Sequence, residues 1–142
     1  MTGQPRQLVL DEPVVGALLR NKLIMIRTMA AQRGWRLLVP QQALDAWGAH
    51  FLHLAFKAPA ADIGVFELVT AEPRLATAAE LAAAWIADTT GLHDPVLGVI
   101  VAVAQTRNAD AVVSSERRAT ALRRAYPALG VLPLEIPSLP RS

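Results

Sequence analysis

The chain has 142 residues, a length that fits one domain, and 53% of them are hydrophobic, which excludes a disordered chain. It has no cysteine, which excludes disulfides and thiolate metal sites. The net charge of +2 permits nucleic-acid binding without indicating it, and only Lys22 and Lys57 are lysines, every other basic residue being arginine.

No run of about 18 apolar residues is free of charge, so no membrane span is expected. The opening MTGQPRQ lacks the apolar segment of a signal peptide. A cytoplasmic location follows as the expectation.

In chain order, Gln7–Leu10 reads as a short buried strand, and Asp11 and Glu12 follow it directly. Pro13 suits the first turn of a helix, where its missing N–H would be unpaired anyway. Val14–Arg20 and Lys22–Gln32 each have helical periodicity, as two helices or one long bent one. Gly34 ends that region. Trp35–Val39 is an apolar strand closed by Pro40. Gln41–Phe56 is expected to be a helix, with Leu44, Trp47, Phe51 and Leu54 at spacings of three and four.

Positions 57 to 64 read as a loop and Val65–Thr70 as a strand, broken by Pro73. Thr77 and Glu80 form a capping-box pattern that predicts a helix to Ala87. Asp94-Pro95 opens a helix to about Arg107. Ala111–Val113 is a strand, Glu116–Ala125 a helix, and Val131–Leu134 a last strand before a Pro-rich tail.

Strands and helices alternate throughout, which predicts a parallel sheet covered by helices on both faces. In such a sheet the carboxyl ends of strands and the amino ends of the following helices share one edge. Ligands bind there, near the point where strand order reverses. Asp11, Asp45, Asp94 and Glu116 all fall toward that edge. Four converging carboxylates repel one another unless a cation sits between them, and Mg²⁺ or Mn²⁺ prefers such oxygen ligands. Metals held this way bind phosphate oxygens and activate water, which is the chemistry of phosphodiester hydrolysis. Helix amino ends at the same edge favour an anionic substrate.

Each acid also has a plain structural reading. Asp11, Glu12, Asp94 and Glu116 all suit helix starts, and Asp45 suits a solvated helix face. A cap and a metal ligand are not exclusive, because both use the amino end of a helix.

The stretches "LVLDEPVVGALL", "LLVPQQALDAW", "LHDPVLGVIVAVAQTRNADAVVSSE" and "GVLPLEI" resemble a PIN-domain ribonuclease, and within that class the VapC-type toxins of bacterial toxin–antitoxin pairs. The resemblance spans roughly Leu8 to Leu134. It implies a PIN-like three-layer α/β/α fold with a central, mainly parallel sheet of about five strands. One domain over residues 1–142 is expected, its core about 7–135 and its tail 136–142. The resemblance further implies a Mg²⁺- or Mn²⁺-dependent RNA endonuclease, the toxin of a type II pair, commonly a homodimer and neutralised by an antitoxin protein.

By that resemblance Asp11, Asp94 and Glu116 hold the metal, Asp45 does so directly or through water, and Ser114 orients a carboxylate or water. Departures accompany it. Asp45 stands where the family usually has glutamate, Glu116 where it usually has aspartate, Ser114 where threonine is common, and Glu12 where the residue is usually small. These motivate an alternative, a catalytically weak PIN-like module that binds RNA or protein. A receiver-like phosphotransfer fold is disfavoured, since neither Lys22 nor Lys57 follows a strand.

Arg117 and Arg118 begin the helix after Glu116 and are candidates for holding an RNA phosphate. His50 and His53 read as surface or interface residues, and His93 as a local structural residue beside Asp94. Trp35, Trp47 and Trp85 read as core or interface residues, and the apolar Val14–Met29 region as either plain core or a groove for a second copy or antitoxin.

Overall fold

In the computed structural model the described residues are 6–20, 24–51, 54 and 65–136. They form a five-stranded, all-parallel sheet in the order β3-β2-β1-β4-β5. The strands are β1 (Gln7–Leu10), β2 (Arg36–Pro40), β3 (Phe66–Val69), β4 (Ala111–Ser115) and β5 (Val131–Leu134). The helices are α1 (Glu12–Leu19), α2 (Ile24–Arg33), α3 (Gln41–Asp45), α4 (Pro73–Thr90), α5 (Pro95–Thr106) and α6 (Glu116–Ala125). This is the expected α/β architecture, consistent with a three-layer PIN-like fold.

The strand sequences explain the layers. Alternate residues of a strand face opposite sides. Leu8, Leu10, Leu37, Val39 and Val113 pack with Val14, Val15, Leu18, Ala30 and Leu44 on one face. Val9, Leu38, Val112 and Val131 pack with residues of α4, α5 and α6 on the other. Buried on both faces, β1, β2 and β4 read as continuous apolar runs rather than alternating ones. A right-handed crossover fixes which face each connecting helix takes. The chain builds outward from β1 to β3 with α1–α3 on one face, then returns to β4 and β5 with α4–α6 on the other. The reversal falls between β1 and β4, where Leu10 pairs with Val113.

Four boundaries differ from expectation by more than a residue. The helix predicted from Gln41 to Phe56 ends at Asp45. Gly48 then takes φ +62°, a conformation that breaks a right-handed helix. Residues 52–53 and 55–56 lie outside the described residues. Pro73 starts α4 rather than only ending the strand before it. Thr77 is therefore interior, and its hydroxyl donates to the Pro73 carbonyl at 3.1 Å instead of capping. The helix runs to Thr90 and stops at Gly91, which is left-handed at φ +76°. The first helical region is two helices, and β4 extends two residues further than expected, to Ser115.

α4 and α5 meet closely at Gly98. A Cβ there would lie 2.7 Å from that of Ala83 and nearer still to the Ala79 carbonyl oxygen. Alanine gains about 1 kcal/mol over glycine in a helix interior. Overpacking against backbone costs about 1–3 kcal/mol, because one helix must shift. Gly98→Ala is expected to lower stability by up to about 2 kcal/mol, read as a lower urea midpoint with an unchanged slope.

Candidate functional site: a carboxylate edge closed by arginine

Asp11 leaves the end of β1 with its N–H bonded to the Val113 carbonyl at 3.0 Å. That pairing carries the strand register one residue further and sets Asp11 beside Ser114. Asp11 is also the N-cap of α1, accepting the Glu12 N–H at 2.7 Å. The Ser114 hydroxyl donates to Asp11 Oδ2 at 2.6 Å. Asp94, the N-cap of α5, accepts the Val96 N–H through Oδ1 at 3.0 Å. Three of the expected residues therefore meet where strand order reverses.

The cation among them is Arg118. Its Nε donates to Asp11 Oδ2 at 2.7 Å and its Nη2 to Asp11 Oδ1 at 3.0 Å, a two-pronged clamp. Its Nη1 donates to Asp94 Oδ2. The same nitrogen lies 4.0 Å from Glu12 Oε2. The Asp11 side chain is 0% exposed, that of Arg118 14% and that of Asp94 21%. Burial works against the charged guanidinium, but the bonds and attraction from Asp11 and Asp94 outweigh it and hold its pKa above the ordinary arginine value. A raised pKa on a base means that its contribution persists as pH rises, until the folded-state pKa is passed. For an arginine that lies beyond the alkaline limit of ordinary folding, so this cation is constant.

Asp45 and Glu116 stand apart from these bonds. Asp45 is the last residue of α3, is exposed, and accepts from Gln41 Nε2 at 2.8 Å. Glu116 is the exposed first residue of α6. At about 100° per residue, Glu116 and Arg118 face nearly opposite ways, so the inward place on this helix falls to the arginine. A signal for it was present in the sequence. Arg118 shares the stripe of the buried Leu122 and Ala125 at spacings of four and three, the core-facing side of an amphipathic helix.

The donor set decides whether a divalent ion fits. Asp11 Oδ1 accepts from Glu12 and Arg118, Asp11 Oδ2 from Ser114 and Arg118, Asp94 Oδ1 from Val96, and Asp94 Oδ2 from Arg118. Every oxygen of both carboxylates is engaged by a donor. Among the described residues no three His, Cys, Asp or Glu side chains are gathered as a metal's ligands. With the guanidinium in place these residues do not fit Mg²⁺ or Mn²⁺, which needs about six free oxygens near 2.1 Å. Arg118 itself is turned into the edge and committed there.

Arg117 is exposed and points elsewhere. With Thr120, Ala121 and Arg124 of α6, and with Thr90, Gly91 and Leu92, it lines a cleft of about 230 Å³. His93 is exposed beside Asp94 and His50 is exposed, while His53 lies outside the described residues. Two tryptophans have structural bonds: Trp47 Nε1 donates to the Glu12 carbonyl and Trp85 Nε1 to the Ala125 carbonyl, each at 2.8 Å. Trp35 joins Leu8, Met25, Ile26, Met29, Val113, Leu132 and Leu134 around an apolar groove of about 250 Å³.

No protein-family model matches this chain, and no curated protein matches it.

Removing one partner of a buried ion pair typically costs about 3–5 kcal/mol, since the other charge stays buried. Asp11→Asn is expected to lower unfolding free energy by about 3–4 kcal/mol. Asp94→Asn, at the wetter end of the clamp, should cost about 1–2 kcal/mol. Urea unfolding at neutral pH checks both, and equal losses would contradict the difference in burial.

Proposed function

We propose that this chain is a PIN-like module that binds RNA without depending on a metal. The observation that supports it is the division of labour on α6. Arg118 is committed to Asp11 and Asp94, whereas Arg117 and Arg124 are exposed on another side of the helix. They lie seven residues apart, about 10 Å along the axis, and line the cleft at the end of α4. Among the described residues no acid lines that cleft. Planar guanidinium groups beside a hydroxyl suit the phosphates of a single strand.

Anisotropy titration of a labelled single-stranded RNA in EDTA tests this reading. Binding should weaken as salt rises. Each phosphate contact contributes about 0.7 to the slope of log K against log salt on a single strand. Arg117→Ala with Arg124→Ala should therefore flatten the slope by about 1.4. Salt-independent binding, or an unchanged slope in the double variant, would refute it.

A second reading, the metal-dependent endoribonuclease of a toxin–antitoxin pair, finds support in a separate observation. Asp11, Asp94 and Glu12 place three carboxyl groups around one guanidinium, at the helix-start edge where α/β sheets bind ligands. RNA cleavage with Mn²⁺, abolished by Asp94→Asn and by chelator, would establish it. Intact RNA under those conditions leaves the binding module. The apolar groove with Met25 at its rim supports the expected protein partner, antitoxin or second copy, in either reading.

A further inference from the structure

We infer that Arg118 is a built-in replacement for a metal: a covalently attached cation that closes the edge between Asp11 and Asp94 and excludes divalent ions from it. The inference does not rest on the RNA reading, since it concerns only what holds these carboxylates.

Three observations carry it. The guanidinium bonds both oxygens of Asp11 and one of Asp94, so it bridges two elements as an ion between carboxylates would. The bridged groups are anchored independently of it, Asp11 by Ser114 and the start of α1, and Asp94 by the start of α5. They are therefore held near one another by the fold, with Glu12 at 4.0 Å from the same guanidinium. Finally, Arg118 is on the core-facing stripe of α6, so its side chain has a packed route into the edge rather than a loose reach across the surface.

It follows that the wild-type edge is indifferent to divalent ions, and that removing the guanidinium uncovers oxygens able to take one. Arg118→Met keeps an unbranched apolar stem and deletes the charge. Wild type, Arg118→Met and Arg118→Met/Asp94→Asn would each be titrated calorimetrically with MnCl₂ and melted in EDTA and in Mn²⁺. The wild type should give no saturable binding and the same Tm in both buffers. Arg118→Met should melt on the order of 10 °C lower in EDTA, recover part of that loss in Mn²⁺, and bind one ion per chain. Adding Asp94→Asn should abolish the recovery.

Saturable Mn²⁺ binding to the wild type that Asp94→Asn removes would overturn the inference. So would an Arg118→Met protein that folds in EDTA and ignores Mn²⁺, whatever its Tm. If Arg118→Met folds only in Mn²⁺, the inference is upheld. If it folds in neither buffer, the wild-type titration decides: saturable binding overturns the inference, and its absence, with Arg118→Lys also indifferent to Mn²⁺, upholds it. Failure of RNA binding would leave all these outcomes unchanged.

Discussion

A carboxylate with no solvent exposure must be paired, and Asp11 is paired by Arg118. Much of the molecule converges on that bond. Asp11 closes β1 and opens α1, Ser114 belongs to β4, Asp94 opens α5, and Arg118 comes from α6. The cluster thus ties both helical layers to the sheet at the point where its direction of growth reverses. Burying the charges incurs a desolvation cost, which is offset only if nearly every donor and acceptor is used. The Asp11 carboxylate meets that condition with four donors, two from arginine, one from serine and one from backbone.

Much of this arrangement was legible in the sequence. Continuous apolar strands between helices indicated a parallel sheet, and the placement of Asp11 and Asp94 at strand and helix ends brought them to one edge, with Ser114 added by the family resemblance. The register confirms that placement, since Leu10 pairs with Val113 and leaves Asp11 and Ser114 next in line. Asp45 and Glu116 take no part in the bonds among Asp11, Asp94, Ser114 and Arg118, because sequence proximity to an edge says nothing of which way a helical residue turns. Glu116 sits at the edge yet faces water. Arg118, two positions later, faces inward to Asp11 and Asp94, where the sequence had offered it as a candidate for an RNA phosphate. An arginine on an apolar helical stripe is rare unless paired, and the stripe through Leu122 and Ala125 was the available clue.

Other misplacements share a cause. Local pattern favoured a capping box at Thr77 and a long helix after Pro40. Both were overridden by backbone chemistry that pattern matching weighs too lightly. Pro73 is well suited to a helix start, so α4 begins four residues before the capping motif. Gly48 takes a left-handed conformation within three residues of Asp45, so the apolar spacing beyond it does not belong to one continuous helix with α3.

α6 shows how one short helix separates structural charge from charge available to a ligand. Its inward stripe ends in Arg118, and another side presents Arg117 and Arg124 to a cleft. The same residue type serves two ends because burial and partners, not identity, determine what a guanidinium can do. A covalently attached cation also differs physically from a bound ion. The stabilisation from a bound ion scales with its free concentration through mass action, whereas an arginine contributes equally at every ionic composition, apart from screening. An edge held by arginine is consequently a constant scaffold rather than a switch. The exposed guanidinium groups of Arg117 and Arg124 differ from it, since any attraction they exert on an anion is screened as salt rises.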